Sequence, residues 1–194
     1  MRAVNRRALL VSAGALALGG ALPALPRAVA AEVDKVQFSD RLKAGPVMLR
    51  LNGAGLVYYK AIIKGLAAGL YLDEAAGPQD VLADVAKRVE IEYFWGLKGK
   101  TIAAALEKPL AENLSPEKLA QFQRDIDRLH AAMVDVKPGD RYALTYLPGV
   151  GTWLSHNGKT LATVPGAEFA ACYFSIWFGE RPMDARLKRQ LLGN

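Results

Sequence analysis

Asn157-Gly158 stands between two runs of strand-forming residues, 151–155 and 160–164. Both residues of this pair tolerate a positive φ, so it predicts a tight antiparallel hairpin. Residues 142–147 (Tyr-Ala-Leu-Thr-Tyr-Leu) and 89–95 (Val-Glu-Ile-Glu-Tyr-Phe-Trp) alternate in the two-residue rhythm of half-buried strands. Residues 47–51, 56–63 and 67–72 are rich in β-branched, aromatic and aliphatic side chains and read as three further strands. Short turns between strands imply an antiparallel sheet.

Apolar residues at helical spacing predict helices over 78–88 and 101–110. A longer helix opens at Ser115-Pro116, a cap followed by a proline in the first turn, and carries Leu119, Phe122, Ile126, Leu129 and Met133 on one stripe. The stretch 166–178 is apolar on nearly every side and predicts a buried helix. Residues 185–192 read as a short basic one. Strands grouped with a set of helices predict an α+β domain, an antiparallel sheet with a helical layer on one face.

The first thirty residues belong to a different class. Arg6-Arg7 precede an apolar run from Ala8 to Leu25, and small residues follow at Ala28-Val29-Ala30. This is the three-part pattern of a cleavable export signal. The paired arginines and the weakly hydrophobic Gly/Ala-rich core favour the twin-arginine route over the general secretory one. Gly14, Gly19, Gly20 and Pro23 interrupt the run, so a stable membrane anchor is not expected. The domain then covers 31–194, and its location is periplasmic or secreted. Arg2, Arg6, Arg7 and Arg27 lie in the signal, which has no acid, so 21 basic residues face 19 acidic ones in the remainder. That near balance gives no basic face for nucleic acid.

Familiar catalytic motifs fail on spacing. Gly53-Ala54-Gly55 begins like a dinucleotide loop, yet Tyr58 stands where its third glycine belongs. Gly158-Lys159-Thr160 ends like a phosphate loop, yet Trp153 holds the leading glycine position. Both read as turns. His130 lies in the stripe of the long helix, His156 lies beside the hairpin turn, and Cys172 stands alone in an apolar helix. No metal site or cofactor is expected from that set, and Cys172 reads as a buried structural thiol.

Ordered segments carry a resemblance across residues 36–193. They are Leu51-Asn52-Gly53-Ala54-Gly55, the stretch 63–72 (Ile-Lys-Gly-Leu-Ala-Ala-Gly-Leu-Tyr-Leu), Lys137-Pro138-Gly139-Asp140 and residues 146–152 (Tyr-Leu-Pro-Gly-Val-Gly-Thr). The run 166–169 and Phe174-Ser175-Ile176-Trp177-Phe178-Gly179, before Pro182 and Leu187, complete the set. Together they resemble the chalcone isomerase family, and within it a bacterial, exported chalcone isomerase-like branch. The resemblance implies an open-faced β-sandwich with a ligand cleft between the antiparallel sheet and the helices.

It also implies where catalysis would sit. The family's oxyanion-binding arginine falls on Val57, its threonine on Leu66 and its tyrosine on Leu106. Its asparagine falls on Asn113. A guanidinium suits a developing oxyanion because it is always charged and presents a fixed fork of donors, which valine cannot replace. The equipment for isomerisation therefore reads as absent, and no catalytic residue is assigned. Binding of a small hydrophobic ligand, such as a fatty acid or lipid, is the leading expectation. Two alternatives stand beside it: an isomerase of unknown substrate, and an interaction protein whose cleft is filled by its own side chains. Lys64, two residues from Leu66 on the same strand face, is a candidate charge for the cleft and is read more simply as a surface lysine. Tyr59, on the face of Val57, offers a hydroxyl. The cluster Tyr173, Phe174, Trp177 and Phe178 lines a pocket or packs as core.

Overall fold

A computed structural model describes residues 29–59 and 62–194, with the side chains of residues 29, 30 and 59 outside that description. The predicted signal segment thus falls almost wholly outside the described residues. Nine strands and four helices follow: β1 (Val29–Val33), β2 (Val36–Ser39), β3 (Arg41–Ala44), β4 (Val47–Tyr59), β5 (Ile63–Asp73), β6 (Lys87–Tyr93), α1 (Gly99–Asn113), α2 (Pro116–Ala131), β7 (Arg141–Leu147), β8 (Gly151–His156), β9 (Lys159–Val164), α3 (Ala167–Phe178) and α4 (Ala185–Leu192).

Strands β3 to β9 form one antiparallel sheet in sequence order; short turns set the β3–β4, β4–β5, β7–β8 and β8–β9 pairs, whereas β6 and β7 pair across the segment that holds α1 and α2. Asn157 (φ 48°) and Gly158 (φ 82°) make the β8–β9 turn in the positive-φ geometry expected of them. On one face, Leu70, Val89, Leu144 and Leu154 meet Leu110, Phe122, Leu129, Phe169 and Phe174 of the helices in the main core. The other face is covered in part by the β1–β2 hairpin, whose Val36 and Phe38 pack with Leu49, Ala67 and Tyr71. The remainder of that face is charged: Arg88 pairs with Glu90 at 2.8 Å and Arg141 with Glu92 at 2.7 Å. The α+β open-faced sandwich expected from the sequence is the observed architecture.

Three readings are corrected. The run 56–63 is not one strand: β4 extends unbroken from Val47 to Tyr59, and a new strand begins at Ile63. Gly53-Ala54-Gly55 is not a turn but the middle of β4. A Cβ at Gly53 would lie 2.3 Å from the Gln190 carbonyl and 2.6 Å from that of Leu191, so α4 rests on strand backbone that only glycine exposes. Asn52 donates to the Leu191 carbonyl at 2.7 Å, and the Leu56 amide donates to Gln190 Oε1 at 3.2 Å. Arg186 covers the Tyr58 ring at 5.4 Å.

The predicted helix 78–88 is a single 3-10 turn, Pro78–Asp80, followed by bends and then β6. Asp80 accepts from the Gly77 amide at 2.9 Å, a capping bond that starts the turn, but the Ala83 and Val85 amides then bond the carbonyls of Asp80 and Ala83, three and two residues back, and the Ala86 carbonyl accepts from the Asp73 amide of β5, so no α-helix propagates. Lys87 and Val89, read as the end of a helix and the start of a strand, are both sheet residues facing the core. The other helices stand where expected. Ser115 accepts from the Lys118 amide at 3.3 Å, and Phe122, Ile126 and Leu129 form the buried stripe of α2.

The β1–β2 hairpin has no counterpart in the sequence reading. Its two-residue turn, Asp34 (φ 51°) and Lys35 (φ 71°), has the double positive φ usually supplied by Asn-Gly. Tertiary contact compensates: Phe38 is fully buried against Gly69, where a Cβ would stand 2.7 Å from the ring.

Candidate functional site

Between the sheet and the helices, near the start of β5 and the end of β6, lies a cavity of about 300 Å³. β5 contributes Leu66, β6 contributes Ile91 and Tyr93, and α1 contributes Thr101, Ile102, Ala105 and Leu106. Trp177, Met183 and Leu187 close the far wall, with Leu97 at the rim. Strand alternation sends Ile91 and Tyr93 to one face. The three- and four-residue spacing of Thr101, Ala105, Ile102 and Leu106 aims one side of α1 at them. Apart from the Thr101 hydroxyl, the Tyr93 phenol and the Trp177 indole, every lining side chain is hydrocarbon or thioether, and none is charged.

Five of these residues (Ile91, Tyr93, Ile102, Leu106 and Trp177) also wall a second chamber of about 30 Å³, set deeper among Met133, Tyr142, Leu144, Leu154 and Tyr173. Two hydrogen-bond donors at this depth have no protein partner: Tyr173 Oη and Trp177 Nε1. Tyr173 is 1% exposed and Trp177 4%. Burial pushes the Tyr173 and Tyr93 phenols well above the ordinary tyrosine range, so both stay protonated.

A larger recess, about 390 Å³, opens at the opposite end of β5 and β6. Asp73, Asp80 and Asp84 are among its walls. An apolar molecule there would strip water from carboxylates without offering them a partner, so this recess does not suit a hydrophobic ligand.

The residues singled out from sequence divide in two. Val57 and Leu66 are cross-strand partners that pack against the main core, and Leu66 lines the cavity. Leu106, 6% exposed, walls both chambers. Lys64 and Asn113 stand apart. A register shift between Val57 and Tyr58 sets Lys64 opposite Tyr58, and its half-exposed ammonium pairs with Asp34 in the β1–β2 turn. That partner holds the Lys64 pKa above its ordinary value, and the lysine does not line the cavity. Asn113 is a latch between α1 and the α3–α4 loop. It donates to the carbonyls of Pro109 at 2.7 Å and Arg181 at 2.6 Å, and it accepts from the Arg181 amide at 3.0 Å. The Tyr59 side chain lies outside the described residues.

The aromatic cluster of α3 splits by face. Tyr173 and Trp177, four residues apart, line the deep chamber, whereas Phe174 turns to cover the buried Lys87 ammonium at 5.5 Å. Cys172 is half-buried, and burial raises its pKa, against a nucleophilic role. Ile91, Ile102, Met183 and Leu187 carried no individual signal, because apolar residues beside a cavity obey the same periodicity as apolar residues beside a neighbour. The four-residue spacing of Tyr173 and Trp177 was the available clue.

A family model described as chalcone isomerase-like matches residues 30–193. Among solved structures, a fatty-acid binding protein of Arabidopsis thaliana superposes with a TM-score of 0.62 at 16% identity, over 81% of this chain and 92% of that one. At this identity the likeness shows a shared fold. No curated protein matches the chain.

Proposed function

The chain belongs to the chalcone isomerase-like family, and from that premise we propose that it is an exported, non-catalytic member that binds a small hydrophobic ligand such as a fatty acid or lipid. The observation that carries this reading is the cavity of about 300 Å³ lined by Leu66, Ile91, Ile102, Leu106, Trp177 and Leu187. Its volume and apolar walls with a few polar groups are those of a small-molecule site. No lining residue is charged, so the cavity offers a developing oxyanion no cation, and it holds no carboxylate, lysine or histidine to abstract a proton at neutral pH. A cavity of this size argues against a cleft filled by the protein's own side chains. The binding of fatty acid by a protein of the same fold supports the choice of ligand class.

Export rests on the sequence of residues 1–31: Arg6-Arg7, the apolar run to Leu25 and the small residues before Ala31. In this reading the signal is of the twin-arginine type and the mature protein works in the periplasm. Native mass spectrometry on protein recovered from the periplasm tests both parts. The expected species begins near Ala31 and carries a stoichiometric small molecule that is released on denaturation. Empty protein, with no displacement of an apolar fluorescent probe by fatty acids, would overturn the binding reading. An uncleaved N-terminus would overturn the export reading.

A further inference from the structure

Hydrocarbon is unevenly spread over the surface. Among the described residues, eight large apolar side chains are exposed, and four of them, Trp95, Leu97, Val134 and Met183, gather where the cavity of about 300 Å³ opens. Leu97 and Met183 are cavity walls and surface residues at once, 38% and 37% exposed, so the mouth lies between them, beside the exposed Thr101 and Ala105 of α1. Trp95 is 55% exposed. Its indole N–H donates to the Lys64 carbonyl at 2.6 Å, which ties the loop after β6 to the start of β5, two residues from Leu66 of the cavity wall. Val134, 41% exposed, belongs to a segment that runs along the same loop. The Leu97 amide donates to the Val136 carbonyl at 3.1 Å and the Val136 amide to the Leu97 carbonyl at 2.9 Å. A Cβ at Gly99 would stand 2.9 Å from the Val134 carbonyl carbon.

Single exposed apolar residues are ordinary, whereas a group of them around a cavity mouth marks an interaction surface. With its N–H already bonded inside the protein, the Trp95 ring can enter an apolar phase without giving up a bond to water. The charges beside the mouth select the partner. Segments 95–100 and 133–137 carry Lys98, Lys100 and Lys137 against Asp135, three bases to one acid, all exposed. Asp135 pairs with Lys98 at 2.6 Å. Elsewhere near the mouth charges balance: Glu180 and Asp184 match Arg181 and Arg186 around Met183, and Asp34 pairs with Lys64. An apolar patch fringed by lysine suits an anionic lipid surface, where hydrocarbon enters the acyl boundary and the ammonium groups stay among the head groups. A second copy docked mouth to mouth would bring two lysine fringes together and seal both cavities.

We propose that this rim is a membrane-docking surface: Trp95, Leu97, Val134 and Met183 enter an anionic leaflet, Lys100 and Lys137 meet its head groups, and the cavity opens onto the acyl chains. This rests on the reading that the cavity holds a hydrophobic ligand, and it names the phase from which that ligand is drawn. An apolar molecule then passes between leaflet and cavity without crossing water, a crossing that grows costlier with every methylene.

Vesicle sedimentation tests it, with the purified protein and phosphatidylcholine vesicles that contain or lack phosphatidylglycerol. The protein is expected to sediment with the anionic vesicles and several-fold less with the neutral ones. Trp95→Ala is expected to weaken that binding about tenfold, roughly the worth of one large apolar side chain. Val134→Ser should act in the same direction. Lys100→Gln is expected to lower binding about fivefold on the anionic vesicles alone. Neither Trp95 nor Val134 lines the cavity, so both variants should keep the wild-type affinity for decanoate, read in solution by displacement of an apolar fluorescent probe. No sedimentation with either vesicle, or sedimentation untouched by both Trp95→Ala and Val134→Ser, would overturn the proposal and leave ligand binding intact. A wild-type dimer that Trp95→Ala dissolves, without vesicle binding, would also overturn it and assign the rim to a second copy. Vesicle binding by a protein that decanoate does not enter would instead overturn the ligand reading and leave the docking surface standing.

Discussion

Lys87 is fully buried yet cationic in character, the most demanding side chain in the core. Its ammonium donates to the Ala83 carbonyl, lies 5.0 Å from the Tyr146 ring and 5.5 Å from that of Phe174, and is attracted by Asp84. Desolvation outweighs that attraction and lowers its pKa to about 8. In the unfolded chain the same group titrates near 10.4. Between these values the unfolded state binds more protons than the folded one, so stability rises with pH across the window from 8 towards 10. Below pH 8 both states are protonated and the penalty is constant. The buried tyrosines act in the opposite sense above pH 10, because Tyr146, pushed up to about 12, holds its proton after the unfolded chain has lost it. Urea denaturation from pH 7.5 to 10 should therefore show stability climbing by up to roughly 3 kcal/mol, and Lys87→Met should flatten that climb. A wild-type curve that is level or falling over this interval would contradict the assignment. In the sequence Lys87 falls at the end of the helix expected over 78–88. Nothing local marks a lysine as buried when its partners, Tyr146 and Phe174, come from distant segments.

Elements were most legible where their determinants are local. The Asn157-Gly158 turn, the strands read over 89–95 and 142–147 and the Ser115-Pro116 helix start each depend on a few adjacent residues, and each forms, although β6 ends at Tyr93 and β7 is buried on both faces rather than one. The helix expected over 78–88 failed because its apolar spacing was real but the backbone after Asp80 turns more tightly than an α-helix, and its end is drawn into the sheet by Asp73 and the partners of Lys87. Gly53-Ala54-Gly55 was misread because its meaning lies in α4, more than 130 residues later. Here a definite loss is expected. A Cβ at Gly53 would fall against backbone carbonyls that cannot rotate away, so Gly53→Ala must displace α4 from β4. The cost should be about 1–3 kcal/mol, the range for forced overpacking, read as a lower denaturation midpoint. Ala54→Gly, on the opposite face of the same strand, should lack the clash entirely. Equal stability of Gly53→Ala and wild type would mean that α4 does not rest on β4 backbone. Because Leu187 of α4 lines the cleft, the same substitution should also weaken hydrophobic binding.

At the scale of the whole molecule, the sheet is covered on both sides, by a hairpin that precedes it in the chain and by helices that interrupt and follow it. The helices shield the cleft side, and the β1–β2 hairpin shields Leu49, Ala67 and Tyr71 on the other. Cleavage before Ala31 would leave the pairs Ala31↔Phe38, Glu32↔Gln37 and Val33↔Val36 in place, together with Asp34 and its bond to Lys64. A chain cut there would keep a structural N-terminus. A chain beginning at Ala31 should melt cooperatively. One beginning at Asp40 loses Val36 and Phe38, buried side chains worth about 1.5–3 kcal/mol each, and uncovers an apolar strip on β4 and β5. The shorter chain should be less stable by about 3–6 kcal/mol and should bind a dye specific for exposed apolar surface, as read by thermal melts with and without that dye. The cleft lies on the other side of the sheet, so whatever fraction of the shorter chain stays folded should keep its ligand affinity. If the two chains melted alike, the hairpin would be an appendage rather than the cover of a second core. A loss of affinity in the folded fraction of the shorter chain would show instead that the two faces are coupled through the strands they share.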